Sequence, residues 1–503
     1  MKLFKKLASF ILAFAMVMAI AMPSVVMAAE TTYNLTLQHT VEGHTYQVYQ
    51  VFSGTLSTKD GKKVLSDLKW GSGVKTNAYG ETAKTIAETL KDENAARTFA
   101  KELVDQKKLS DATQTVQSKT GTTEITGLTA GYYLVKDTDG SLENKNDSYT
   151  AYILQVVGDA ITSVKSDVPS SEKKVKDIND STHTETTGWQ DAADWDIGDK
   201  VPFQLTGTVA SDYKEYKAAY QLVFHDTLSP GLTFDEDSVK VYTNDSGNPI
   251  DHSQYTVTYS ATDGRTFDVT INDVKALGGT VEKIRVEYDA TLNEHAVIGS
   301  AGNPNKMYMN FSNNPNSTQG GETGKTPEDT VIVFTYKVSV NKVNEKYETL
   351  DGADFTLEKK VKKNTNSDEY EWKPITKVSG TADDVFEFNG IDDGEYRLTE
   401  IIAPANYDML SEPIYFTVTA DHVDGANPHL NTFSGNITSG KVGEMAFTAN
   451  KENGILSTTI QNKPGSSLPE TGGMGTTVLY AAGTLMILAA AAFLVMKKKA
   501  ESK

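Results

Sequence analysis

From about residue 170 onward the chain is written in short runs where polar and apolar side chains alternate. Each run is closed by turn-forming residues. Successive side chains of a strand point to opposite faces, so alternation describes strands with one face in a core and one in water. Such runs are Val201–Val209, Tyr220–Phe224, Ser238–Tyr242, Tyr255–Tyr259, Thr266–Ile271, Lys283–Leu292 and Lys306–Phe311, punctuated by Pro230-Gly231, Asp263-Gly264 and Gly278-Gly279. A second series is Val338–Lys342, Asp354–Glu358, Val385–Phe388, Gly394–Glu400, Ile414–Val418 and Leu456–Gln461. Many short alternating strands with turns at close intervals predict β-sandwiches. Helical spacing is confined to residues 80–110, where Ala83, Ile86 and Leu90, then Ala96, Phe99, Ala100 and Leu103, recur on one face. With strands before and after, this predicts a mixed first domain.

Both ends stand apart from these patterns. Lys2, Lys5 and Lys6 precede an apolar stretch, Leu7 to Met22, and Val26-Met27-Ala28 offers small residues for cleavage; residues 1–28 read as a secretory signal peptide. At the other end an apolar run of 21 residues, Thr476 to Met496, precedes Lys497-Lys498-Lys499. That length suffices for a transmembrane helix, and the basic tail fits the cytoplasmic side. The expected organisation is a signal peptide (1–28), a mixed domain (29–168), two β-sandwiches (169–333 and 334–463), and a terminal signal with its membrane helix (464–503). Asn313 to Pro327 reads as a polar connector.

The full chain carries a formal charge of −19; leaving out the three leader lysines, and the four lysines and one glutamate beyond Thr471, makes it −25. So acidic a surface argues against nucleic acid as a partner, which requires clustered Lys and Arg. There is no cysteine, so an exported chain must find mechanical strength without disulfides. Thiolate metal ligands are excluded, the eight histidines are scattered, and Asp177, Asn179 and Asp180 read as a polar turn rather than a calcium loop. No metal or cofactor is expected. No G-x-S-x-G or H-E-x-x-H motif occurs, so the chain is not expected to be an enzyme.

Three sets of residues resemble known families. Leu468-Pro469-Glu470-Thr471-Gly472, set before the apolar span and basic tail, resembles the LPXTG sorting motif of Gram-positive surface proteins, which sortase cleaves between Thr and Gly. Asn341-Lys342-Val343, with Leu350 to Leu357, resembles the opening of a collagen-adhesin B-type domain. Tyr396 to Tyr407 (YRLTEIIAPANY) resembles the E-box of backbone pilins, departing from it at Ile401 and Asn406. That resemblance implies a spontaneous isopeptide bond between Lys342 and Asn462, promoted by Glu400. Alternation independently puts Lys342 on the face of Val338 and Val340, and Asn462 on that of Ile460. A lysine buried there tends to lose its proton and a buried carboxyl to gain one.

Residues 169–175, 225–232 and 303–311 resemble the strands of the fimbrial isopeptide-forming middle domain. Lys173, on the face of Val175, and Asn305, on that of Met307 and Met309, would be joined beside Asp226; Lys174, and Asn310 or Asn313, remain alternatives. Polymerising pilins of this kind also use an acceptor lysine at the first domain junction, often in a Tyr-Pro-Lys motif. That motif is absent. Lys165 occupies the corresponding place, with Lys174 and Lys176 as rivals.

The chain is thus expected to be the backbone (major) subunit of a sortase-assembled pilus, mainly β with tandem Ig-like sandwiches of collagen-adhesin type. Its implied partners are sortase, neighbouring subunits, peptidoglycan and host surface ligands, and its location an extracellular, wall-anchored fibre. A singly anchored adhesin or a minor pilin is the alternative.

Overall fold

The computed structural model describes residues 31–500 apart from 60–61, 151, 158, 165–166, 183, 260–266, 364–367, 378–384 and 466–474. The proposed leader, Lys165 and the Leu468–Gly472 motif therefore lie outside the described residues. Among the described residues the chain is mostly β-structure, with two short α-helices in the first region and one long apolar α-helix, Gly475–Ala500.

The first region stacks three layers. A small sheet orders strands Gly121–Leu128, Tyr33–Thr40 and Ala160–Ser163; a larger one orders Lys62–Trp70, Thr45–Lys59, Gly131–Asp137 and Ile153–Val157. From Tyr46 to Phe52 strand Thr45–Lys59 carries apolar residues on both faces because both are covered there. Tyr46 and Val48 meet Leu35, Leu37 and Ile125 of the small sheet. Tyr49, Val51 and Phe52 pack with Ala83, Ala87, Phe99 and Leu103 of the helices Ala83–Ala87 and Glu93–Asp105. Asp92 caps the second helix, accepting from the Ala95 amide at 2.8 Å.

The middle region is a two-sheet sandwich. One sheet orders Thr184–Gln190, Ser171–Asn179, Lys200–Thr208, Lys283–Leu292 and Leu232–Phe234. The facing sheet orders Ala192–Asp194, Asp329–Phe334, Asn303–Ser312, Leu222–Leu228, Phe267–Ile271 and Thr256–Tyr259. Inward rows such as Val201, Phe203 and Leu205, or Ile284, Val286, Tyr288, Ala290 and Leu292, follow strict alternation and fill one core.

The last sandwich orders Val385–Ile391, Tyr336–Val343, Ile455–Gln461 and Thr448–Asn450 on one side. Tyr370–Ile375, Asp354–Lys362, Gly394–Ile402, Ile414–Val423 and His429–Ser439 form the other. Its first and last long strands pair in parallel, with Lys342 opposite Ile460, a pairing of distant segments that alternation alone does not reveal.

The segment read as a connector is structured instead. Thr323–Lys325 pairs with Asn303–Ser312, and the segment clasps the first domain: Asn313 Nδ2 donates to the Leu142 carbonyl at 2.9 Å, Asn316 Nδ2 to the Thr150 carbonyl at 3.0 Å, and the Lys325 amide to the Lys145 carbonyl at 2.9 Å. Its polar residues satisfy backbone groups of a neighbouring loop rather than water. Asp329–Phe334 belongs to the middle sandwich and Tyr336 begins the last, so the chain changes sheets at Thr335.

The helix Gly475–Ala500 ends in Lys497, Lys498 and Lys499; within it Val478–Lys499 is long and apolar enough to cross a membrane.

Candidate cross-linking sites

Lys173, Asp226 and Asn305 meet in the core of the middle sandwich, and each is fully buried. The two sheets deliver them from opposite sides. Lys173 lies on Ser171–Asn179 opposite Leu205, whereas Asn305 pairs with Leu228, two residues beyond Asp226. Lys173 Nζ contacts Asp226 Oδ2 directly and donates to the Tyr288 hydroxyl at 2.9 Å. Asn305 Nδ2 donates to the same hydroxyl at 2.7 Å, so Tyr288 bridges lysine and asparagine. Among the described residues Asp226 Oδ1 and Asn305 Oδ1 have no hydrogen-bond partner.

Burial pushes the Lys173 ammonium pKa down, against the pull of Asp226, and pushes the Asp226 carboxyl up, against the pull of Lys173. Both shifts favour the neutral pair, an amine beside a carboxylic acid. Phe203, Phe234 and Phe267 pack around the Tyr288 ring and keep water out. Tyr288 was absent from the sequence reading. Its one signal was a polar-tipped aromatic in an otherwise aliphatic inward row, a place where a hydroxyl needs a partner.

The alternatives lie elsewhere. Lys174 points to the opposite face, held by Asp191 at 2.8 Å and Glu172 at 3.1 Å, which raise its pKa despite partial burial. Asn310 alternates away, opposite Val223, and Asn313 is spent on the first-domain clasp. Of the other nominated acceptor, Lys176 lies over the Trp189 ring, 5.3 Å from its centroid.

In the last sandwich Lys342, Glu400 and Asn462 converge, all buried. Lys342 Nζ donates to the Ile460 carbonyl at 3.1 Å, and Asn462 Nδ2 donates to Glu400 Oε1 at 2.9 Å. The Leu410 amide fixes the other Glu400 oxygen at 2.8 Å, while Asn462 Oδ1 has no hydrogen-bond partner among the described residues. Burial lowers the Lys342 pKa to about 8, opposed by the Glu400 charge.

Another fully buried lysine escaped the sequence reading. Lys359 continues the inward row Phe355, Leu357, Lys359, Val361, but the strand expected there stopped at Glu358. Its Nζ contacts Asp392 and lies 2.9 Å from Asp196 and 3.5 Å from Asp180, tying the two sandwiches together. Burial alone would lower its pKa, yet the three carboxylates outweigh burial and hold it well above the ordinary value. Around it the Asp392 amide donates to Asp196 at 3.0 Å, the Asp393 amide to Asp194 at 2.9 Å, and the Ile197 amide to the Gly390 carbonyl at 3.1 Å. Gly394, at φ +152°, leaves room for the lysine: a Cβ there would sit 3.1 Å from Lys359 Cε. Asp177, Asn179 and Asp180 do not act together: Asp177 groups with Asp194 and His422, Asn179 donates to Asp393, and Asp180 faces Lys359.

Comparison with known proteins accords with this architecture. Residues 197–315 match the family described as Gram-positive pilin backbone subunit 2, Cna-B-like domain; residues 336–428 match the SpaA prealbumin-like fold domain; and residues 460–503 match the LPXTG cell wall anchor motif. The trypsin-resistant surface T6 protein of Streptococcus pyogenes serotype M6 is 25% identical over 427 residues, 72% of this chain and 74% of its own length. Among solved structures, the T6 backbone pilin of serotype M6 Streptococcus pyogenes superposes with a TM-score of 0.56 at 18% identity, covering 88% of this chain and all of its own. The full-length major pilin SpaD of Corynebacterium diphtheriae gives a TM-score of 0.50 at 18% identity, over 86% of this chain and 98% of its own. Together these matches support a sortase-assembled backbone pilin with an LPXTG cell wall anchor. The chain is a structural pilus subunit, fixed to the cell wall and exposed at the surface.

Proposed function

We propose that this subunit is polymerised covalently, through Thr471 to a lysine of the next copy, and hardened by two intramolecular isopeptide bonds, Lys173–Asn305 and Lys342–Asn462. The observation that carries the second part is the closed middle-domain set, with a buried amine, a buried acid and a carboxamide gathered around one hydroxyl. The neutral Lys173 amine attacks the Asn305 carboxamide carbon while protonated Asp226 donates to its oxygen. A new C–N bond forms, the bond to the amide nitrogen breaks, and Asp226 relays the amine's proton to the departing ammonia. Glu400 holds the Asn462 carboxamide beside Lys342 and promotes the corresponding bond there. Burial lowers the pKa of both amines and so raises the share of the neutral, attacking form.

Bonds so placed resist pulling differently from packing. Each joins the first sheet-forming strands of its domain to late ones, so tension cannot peel the sandwich without breaking a covalent link. That role is the one disulfides fill in other exported proteins, and this chain has no cysteine. Sortase would cleave after Thr471 and transfer it to the acceptor lysine, for which Lys165 is our nominee. Head-to-tail repetition of that join gives an open fibre that presents the chain to host surface ligands.

Intact mass of residues 30–467 tests the bonds: the folded chain should be lighter than its sequence by two ammonias, by one in Asp226→Ala or Glu400→Ala, and full theoretical mass would refute both. Tandem mass spectrometry of purified fibres should then recover a Thr471–lysine peptide; wall-linked single chains alone would favour an adhesin.

A further inference from the structure

One turn of the last sandwich holds a strained residue that gains no burial in exchange. Tyr347 has φ +63°, the left-handed region where a bulky side chain is rare and glycine or asparagine is favoured. Its ring is nevertheless 64% exposed. The turn keeps it there. The Val343–Thr349 bridge closes the turn, and the Tyr347 amide donates to the Asn344 carbonyl at 3.0 Å. Asn344 Oδ1 accepts from the Lys346 and Glu348 amides at 2.8 and 3.0 Å. Backbone strain sustained by its surroundings points to a side chain held for use.

Tyr347 lines a cavity of about 380 Å³, within the roughly 300–1,000 Å³ of small-molecule sites. One wall is the outer face of the sandwich, where Asn341 lies opposite Thr459 and Gln461 follows two residues on. Another is the segment from Val442 to Thr448. Met445 anchors it in the core, and the Ala446 carbonyl accepts from the Thr458 hydroxyl at 3.0 Å. Strand Thr448–Asn450 pairs with Ile455–Gln461 only as far as Ser457. The Asn462 amide bonds Val343, so the alternate residues Thr459 and Gln461 turn their backbone groups to the open edge. Among the described residues no hydrogen bond or ion pair engages the side chains of Asn341, Glu444, Thr459 or Gln461.

We propose that this cavity binds a neutral sugar, one pyranose ring stacking on Tyr347 while its hydroxyls meet Asn341, Thr459, Gln461 and Glu444. The lining sets that class. It is largely polar, which disfavours a lipid, and it holds no Lys or Arg, which disfavours phosphate, sulfate and acidic sugars. The open edge spans two residues, too short for an added peptide strand. Amides and hydroxyls offer donors and acceptors side by side, as sugar hydroxyls require, and the aromatic ring suits the apolar face of a pyranose. One shallow site of this kind binds at about millimolar Kd. A fibre would multiply it by repetition, but the site itself does not depend on polymerisation.

The test titrates the ectodomain, residues 30–467, with lactose, with chitobiose and with choline as an organic cation. Saturable binding of a sugar is expected, preference for lactose pointing to glycans of other cells and preference for chitobiose to wall glycan. Asn341→Ala and Tyr347→Asn should each weaken it tenfold or more. Tyr347→Asn should also keep or raise the unfolding midpoint, because asparagine tolerates the left-handed backbone; a loss of fold does not mimic that pair of results. The site is overturned if neither sugar binds at about 10 mM, if both variants bind as the wild type does, or if choline binds in place of the sugars.

Discussion

Two lysines sit at equal depth and have their pKa values moved in opposite directions. Lys173 and Lys359 are both fully buried on inward rows of a sandwich, and each contacts an aspartate. Around Lys173 only the Asp226 carboxyl touches the amine, Asp329 acting on it from further off, and within this aromatic cage burial outweighs both, favouring the neutral pair. Around Lys359 the carboxylates of Asp392, Asp196 and Asp180 converge, and the ammonium is held. Burial makes a lysine reactive only where few opposing charges come with it. The number of carboxylates, rather than depth, separates a nucleophile from a clamp.

The largest effect expected from this contrast is at the clamp. Lys359→Ala should leave buried carboxylates unpaired and destabilise the joined sandwiches by about 3–5 kcal/mol, read by denaturant unfolding. The chain's mass deficit should stay at two ammonias. A deficit including one water in the wild type would show that Lys359 had condensed with Asp392 and break the comparison.

Smaller is the response to pH in Asn462→Ala, which leaves the Lys342 amine free. Its folded pKa is depressed to about 8, so below that pH the folded state holds a proton at a cost the unfolded chain does not bear. The penalty fades as pH rises from about 8 toward the unfolded value near 10.4, so stability should climb by about 1–3 kcal/mol over that range. Lys359 has the opposite sign: its raised pKa gives stability that is full below the unfolded value and lost only as pH rises through the folded one. Falling stability between pH 8 and 10 in that variant would contradict the assignment.

Last comes Tyr288→Phe, with an effect of similar size. It removes the hydroxyl shared by Lys173 and Asn305 but keeps the ring packing, at a cost of about 1–3 kcal/mol in buried groups left unsatisfied. The bond should still form, more slowly, giving a mixture of chains one and two ammonias light soon after synthesis. A fully reacted sample at that time would reduce Tyr288 to a packing residue.

Much of this was legible from order along the chain. The terminal apolar run with its lysines, the helical spacing confined to residues 80–110, and most strands of both sandwiches follow from local periodicity. So does the preference for Lys173 over Lys174, since alternation assigns each lysine to a face. Periodicity failed where a strand is an exposed edge, as in Tyr370–Ile375, whose side chains are largely solvent-facing, or in His429–Ser439, where the inward residues are sparse. It failed also at residues 313–325, whose composition is that of a loop and whose partners lie in another domain.

By itself, then, the sequence determined which residues face inward and where the chain is anchored, because both are set by local order: a two-residue period and the length of an apolar run. Only the tertiary structure decided who meets whom. Tyr288 reaches Lys173 and Asn305, and Lys359 reaches aspartates from the other sandwich, because separate sheets are pressed together there. A buried charge responds to every group around it, and most of those groups are distant in sequence.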